Sequence, residues 1–346
     1  MRTRSAEPNR WLHCYLWFMA GATLLLICSG GMVTSKGAGL AVPDWPTTFG
    51  YNMFMFPVSR WVGGVLFEHT HRLIASTVGF LTIVLTVWIW RADPRAWVRK
   101  LGIAALGAVL LQGVLGGLRV TMLKDEIGVF HALLAQAFLG LLVFLAFVTS
   151  PRWTEFAAER ATSGLLTLAL VTTATIYAQL ALGATMRHQH RDLSILDFPT
   201  AYCSWIPDTS APALQKINRA RDAAALSDVS ASHIWLQMTH RIVALIIAAL
   251  VTAFWFRVRS RAVEITALRG LSSAWLFFLI CQVTLGAWTI WSNKAADIAT
   301  AHVAVGATLF ALGVSIAALC WKAGLNRGLE SAAKNHAVVR RTVEVL

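Results

Sequence analysis

Long apolar runs separated by shorter polar connections dominate this chain. Runs long enough to cross a hydrocarbon layer of about 30 Å fall at roughly 12–34, 66–90, 101–119, 129–149, 164–185, 234–256, 271–291 and 300–321. They predict eight transmembrane helices. The first run is too long for a signal peptide and no small-residue cleavage site follows it, so it is expected to stay on the chain. One connection, at about 186–233, is much longer than its counterparts, and its polar stretch from Lys216 to Asp228 is expected to form a short surface helix or a lid.

Composition fits the same class, because 57% of the 346 residues are hydrophobic and only 14% are charged. The charges also set the orientation. Arg2, Arg4, Arg10, Arg91, Arg95, Arg99, Lys100, Arg152, Arg160, Arg257, Arg259, Arg261 and Arg269 lie at the N-terminus or after even-numbered spans, and Lys322, Arg327, Lys334, Arg340 and Arg341 follow the last span. These are eighteen basic residues, against ten in the other side's connections once Arg72 and Arg241 inside spans are set aside. Both termini are therefore expected to be cytoplasmic, with odd-numbered connections outside. The net charge of +13 then reads as a topology signal and an attraction to anionic membrane lipid, with no stripe suited to nucleic acid. Among five cysteines only Cys203 sits in an outer loop, so no disulfide framework is implied.

The chain repeats itself. Thr70-His71-Arg72-Leu73-Ile74-Ala75 is answered by Thr239-His240-Arg241-Ile242-Val243-Ala244, Asp44-Trp45-Pro46-Thr47 by Asp197-Phe198-Pro199-Thr200, and Gln112 with Leu115-Gly116 by Gln282 with Leu285-Gly286. Spans 1–4 thus correspond to spans 5–8. The fold expected is an all-α integral membrane protein of two tandem four-helix bundles, 1–155 and 156–346, related by a pseudo-two-fold axis along the membrane normal.

His131 and His302 open the last span of each half, so every half holds a histidine pair at the outer ends of its second and fourth spans. One intramembrane histidine is often only a hydrogen-bonding residue between helices. Two equivalently spaced pairs point further, to neutral nitrogen donors on the two faces of a planar iron porphyrin held inside a bundle. Gly30, Gly31, Gly113, Gly116, Gly117, Gly183, Ala184, Gly286 and Ala287 are small enough to make room, though small residues also serve ordinary close packing. Zinc fits less well, for want of further ligands recurring with each pair. His188, His190 and His233 are read as solvated loop residues or a peripheral metal site, and His69 as a spare ligand or interface residue.

The halves differ in one acid. Glu68 stands three residues before His71, where the second half has Gln237. On a helix this spacing places carboxylate and imidazole on one face, at the rim of a first-half haem, where the acid can take a proton or offset positive charge. Its plainer role is to complement a helix N-terminus. Arg72, Arg241, Arg119, Lys124 and Arg187 at the outer ends are candidates to pair with haem propionates.

Glu68-x-x-His71-Arg72, the isolated His131, the pair His240 and His302, and the segment Gly30-Gly31-Met32-Val33-Thr34 leading to Gly39-Leu40 and Asp44-Trp45-Pro46 resemble the haem A synthase family over all eight spans. The resemblance implies an enzyme of the cell membrane that oxidises the C8 methyl of haem O through an alcohol to the formyl group of haem A, for terminal oxidases. It implies His71 and His131 as ligands of the substrate haem, His240 and His302 as iron ligands of a haem b cofactor, and Glu68 as the catalytic acid–base group. It also implies a haem O synthase upstream and an electron donor or acceptor that the sequence does not identify; self-association stays open. Some family members carry a cysteine pair in the first outer loop, and residues 35–60 here have none. Two rival readings stay open: a di-haem cytochrome b that only carries electrons, and a transporter.

Overall fold

A computed structural model describes residues 9–153, 164–260 and 266–344, apart from the side chains of Arg152 and of 325–344. The charges expected at Arg2, Arg4, Arg160 and Arg261 and the boundary at 155/156 lie outside the described residues, as do the side chains of Arg152, Arg327, Lys334, Arg340 and Arg341.

Nine α-helices and three short 3-10 turns make up the described residues, and no strands are among them. The helices are α1 (Arg10–Ser35), α2 (Gly63–Ala92), α3 (Ala96–Met122), α4 (Asp125–Val148), α5 (Leu165–His188), α6 (Ala211–Ala223), α7 (Ala231–Ser260), α8 (Thr266–Trp291) and α9 (Ala296–Glu344). All except α6 are long and apolar enough to span a membrane, α9 through its segment 296–324. The eight expected spans are present, most of them a few residues longer at each end. The expected surface helix starts earlier than the polar stretch suggested, with Pro212 near its start, and stops at Ala223. It serves as a brace: Arg221 is buried and donates to the carbonyls of Ser227 (2.7 Å) and Leu193 (3.1 Å).

Local chemistry marks the helix ends. The Asn9 side chain accepts from Trp11 N and Leu12 N, both at 3.1 Å, to cap α1, and Asp125 and Glu126 lie in the first turn of α4, where they complement its dipole. Between α2 and α3 the tight turn is fixed by Asp93, which accepts from Arg95 while Arg95 also donates to Val148 O at 2.9 Å.

Packing sorts the spans into two rings, α1–α2–α3–α4 and α5–α7–α8–α9, each closed by a contact between its first and last helix. In both rings the helices at diagonal corners, α2 with α4 and α7 with α9, make little contact, so a bundle interior separates them. The rings meet through α1·α9, α4·α9 and α4·α5, which makes α4 and α9 the most buried spans. One apolar core fills each ring, and α9 contributes to both through Ala307 in the first and Leu309 and Phe310 in the second. Hydrogen bonds from side chains to backbone tie neighbours in the apolar interior: Tyr15 to Leu81 O, Thr86 to Gly102 O, Tyr177 to Leu133 O and Trp275 to Leu309 O. Large apolar side chains such as Phe80, Leu245 and Phe277 remain exposed on the outside of the rings, the surface that a bilayer covers.

Candidate functional site

The chain alternates direction through the spans, which brings the starts of α2, α4, α7 and α9 to one end of the molecule, under the connections 36–62 and 189–230. His71, His131, His240 and His302 all lie in the second or third turn of those helices. Each stands against a glycine on the neighbouring helix. A Cβ on Gly30 would lie 3.0 Å from His71 Cε1, one on Gly116 3.4 Å from His131 Cε1, one on Gly183 3.3 Å from His240 Cε1, and one on Gly286 3.0 Å from His302 Cε1. At Gly30, Gly183 and Gly286 even an alanine presses on the imidazole, while at Gly116 an added Cβ just touches it. Of the other glycines expected to make room, Gly117 lies under the Trp45 ring and Gly31 against Thr300, so both serve packing, and Gly113 faces open space.

Nδ1 of all four histidines is buried without a hydrogen-bond partner. Among the described residues no hydrogen bond reaches Nε2 of His71, His131 or His240, and His302 Nε2 has only Gln282 Nε2 at 3.4 Å. Polar nitrogens left unsatisfied in an apolar interior are costly and call for a ligand. His71 and His131 lie within electrostatic reach of each other, as do His240 and His302. Two neutral donors thus face one interior from diagonal helices, each backed by glycine, and this fits a planar iron macrocycle taking one axial ligand on each face. Among the described residues no group of three or more His, Cys, Asp or Glu is placed to hold a bare metal ion.

One turn before three of these glycines stands a glutamine. Gln112 Nε2 donates to His131 O and Gln179 Nε2 to His240 O, both at 2.8 Å, and Gln282 contacts the His302 ring. The fourth position, one turn before Gly30, is Leu26. Gln179 has no glutamine counterpart in the first half, where Leu26 stands, but the pattern Gln-x-x-Leu-Gly at 112–116, 179–183 and 282–286 marks it in the sequence.

Glu68 is buried, and its carboxylate is fully engaged. Oε2 accepts from Val42 N at 2.9 Å and Oε1 from Arg72 Nη2 at 2.6 Å. Gln237 occupies the same place in the second half, accepting from Ile195 N at 2.7 Å and donating to Ile195 O at 3.2 Å. Both residues latch the loop overhead. Arg72 continues the latch through Asp44 O (2.7 Å), Val42 O (3.0 Å) and Thr47 O (3.1 Å), and Arg241 does so through Asp197 O (2.7 Å) and Thr200 O (2.8 Å). A propionate has to compete with those carbonyls for either guanidinium. Arg187 is likewise occupied, by Gly31 O and Ser35 Oγ at 2.5 Å each. The Arg119 guanidinium donates no hydrogen bond among the described residues and lies within electrostatic reach of Asp125, Glu68, His71 and His131.

The loops themselves are built alike. Asp44 accepts from Phe49 N (2.7 Å), Gly50 N (2.9 Å) and the Thr47 hydroxyl, and Asp197 from Tyr202 N (2.8 Å), Cys203 N (3.0 Å) and the Thr200 hydroxyl (2.7 Å). Burial alone would raise both carboxyls, but these donors outweigh it and hold them below the ordinary Asp value.

The remaining histidines take other places. His69 is fully buried beneath the first loop, its Nδ1 3.2 Å from Thr48 Oγ1 and its ring between Phe56 and Trp61. His188 is buried against Gly128 of α4 and is not a solvated loop residue, since α5 extends to include it. His233 accepts from Ser230 N at 3.2 Å at the start of α7.

Comparison with known proteins agrees with this geometry. A family model described as cytochrome oxidase assembly protein (COX15-CtaA) matches residues 13–314. The chain is similar to proteins named heme A synthase: that of Shewanella oneidensis, 27% identical over 320 residues (86% of this chain and 93% of that protein), that of Geobacillus kaustophilus, 25% identical over 319 residues (85% and 87%), and that of Shouchella clausii, 30% identical over 207 residues (57% and 66%).

Proposed function

Since the chain belongs to the COX15-CtaA family of cytochrome oxidase assembly proteins, we propose that it is a haem A synthase, a multi-pass membrane oxidoreductase that converts the C8 methyl of haem O into the formyl group of haem A. The observation that carries this reading is the doubled pair of diagonal histidines, each with a buried, unpartnered Nδ1 and a glycine at its back.

The two halves, related by a pseudo-two-fold axis, divide the work. His71 and His131 hold the substrate haem O in the first. His240 and His302 hold a haem b in the second, which supplies one-electron redox capacity when bound. Glu68, paired with Arg72, stands one helical turn before His71 where the second half has Gln237, and it is the group assigned to offset positive charge developing at the edge of the substrate. Arg119, whose guanidinium donates no hydrogen bond among the described residues although Asp125 and Glu68 lie within electrostatic reach, is the residue best placed to take a haem carboxylate. Both termini face the cytoplasm and the histidine end faces outward, with a haem O synthase supplying the substrate.

Extraction and chromatography of the haems from purified protein test the assignment. Haem b together with haems O and A is expected. Haem b alone turns the protein into an electron carrier, and no haem at all into a transporter.

A further inference from the structure

Four histidines share one geometry, but only three share its support. His131 and His240 each sit on a backbone whose carbonyl is held at 2.8 Å by a glutamine of the facing helix, and the His302 ring meets Gln282. Displacing the helix backbone at His131 or His240 breaks or strains that hydrogen bond in an apolar interior, and moving the His302 ring gives up its contact with Gln282. At the fourth, α1 offers Leu26, an apolar side chain packed against the first-half core. Leu26 accepts and donates nothing, so α1 gives the His71 backbone no clamp, and near His71 the side chains of α2 are tied to its own overhead loop, through Glu68 and Arg72.

We infer that His71 is the exchangeable one of the four haem ligands, and that Leu26, standing where the other three face a glutamine, leaves it so. This rests on the reading of the first half as the substrate chamber. It fits what that chamber has to do: an enzyme must let its product go, whereas a resident cofactor is best held by two firm ligands. The weaker support falls in the half that carries Glu68, and on one of its two histidines. His131, clamped by Gln112, is then the anchor on which haem O arrives and from which haem A leaves, while the His71 lone pair closes and opens the second axial position.

The test loads purified full-length protein with haem O and follows affinity, spin state and the rate of haem loss to excess apomyoglobin. His71→Ala is expected to bind haem O within about threefold of wild type in a high-spin, five-coordinate form, and His131→Ala to bind at least about tenfold more weakly. Leu26→Gln, which supplies the missing clamp, is expected to slow haem O loss by about tenfold, the worth of one buried hydrogen bond, and Gln112→Leu to speed it. Equal loss of haem O from His71→Ala and His131→Ala overturns the inference, as does a Leu26→Gln protein that folds, keeps its haem b and releases haem O at the wild-type rate. Wild-type protein that takes up no haem O overturns the chamber reading itself, and that result is distinguishable because no variant is involved.

Discussion

A carboxylate at 68 and a carboxamide at 237 do the same mechanical work with different charge. Both accept a loop amide, from Val42 and Ile195, at nearly the same distance. The glutamine completes its latch on Ile195 O, and the glutamate completes its own on Arg72. Glu68→Gln therefore copies the second half's solution into the first and separates charge from latch. It is expected to keep bound haem and the loop in place while conversion of haem O falls at least about tenfold, the scale of losing a preorganised charge. Haem A production at the wild-type rate would leave Glu68 a latch only. The residue's spacing from His71 was legible from the helix alone. Its pairing with Val42 was not, because a helical-face argument contains no information about what the overhead loop presents. The same gap explains Arg72 and Arg241: a guanidinium suited to a propionate is equally suited to a cluster of carbonyls.

At the scale of elements, each outer loop is a carboxylate-centred turn pinned onto a helix by an arginine. Asp44 and Asp197 are held below the ordinary carboxylate range by the donors that surround them. A depressed folded value means that the charged form stabilises the loop at any pH above the unfolded value near 4 and that this contribution disappears as pH falls through the folded value. Hydrogen exchange of the amides of Phe49, Gly50, Tyr202 and Cys203 is accordingly expected to show unchanged protection, after correction for intrinsic rates, from pH 8 to pH 5 and loss of it only below about 4. Asp197→Asn is expected to expose Tyr202 and Cys203 at every pH; a variant as protected as wild type removes the carboxylate from the account. Most of this scaffold was readable in the sequence. Apolar runs gave the spans, since a bilayer imposes length directly, and the Asp-x-Pro-Thr repeat marked both loops. The clamps were harder to see, because Gln179 stands on the first span of its half, opposite Leu26, and matches Gln282 only when two helices of the same half are compared.

For the molecule as a whole, the seam between the rings is where its parts are coupled. Arg187 crosses it from α5, donating to Gly31 O and Ser35 Oγ of α1 and, at 3.5 Å, to Ala299 O of α9. Arg187→Ala leaves those acceptors without their donor in an apolar surrounding, at a cost of about 2 kcal/mol or more, and is expected to lower the detergent-solubilised melting temperature by several degrees, with Arg187→Lys recovering part of it. A melting curve unchanged by Arg187→Ala would place the strength of the seam elsewhere. His131 and His302 ride on α4 and α9, two spans that meet at this seam, so each half donates one histidine-bearing helix to the middle of the molecule. Exchange the halves in thought, α1 for α5 and α4 for α9, and the three seam contacts map onto themselves. Such a face is self-complementary in the manner of an isologous dimer. Each bundle then presents the same kind of face to the other, so differences such as Leu26 against Gln179 and Glu68 against Gln237 leave the helix pairing at the seam as it is.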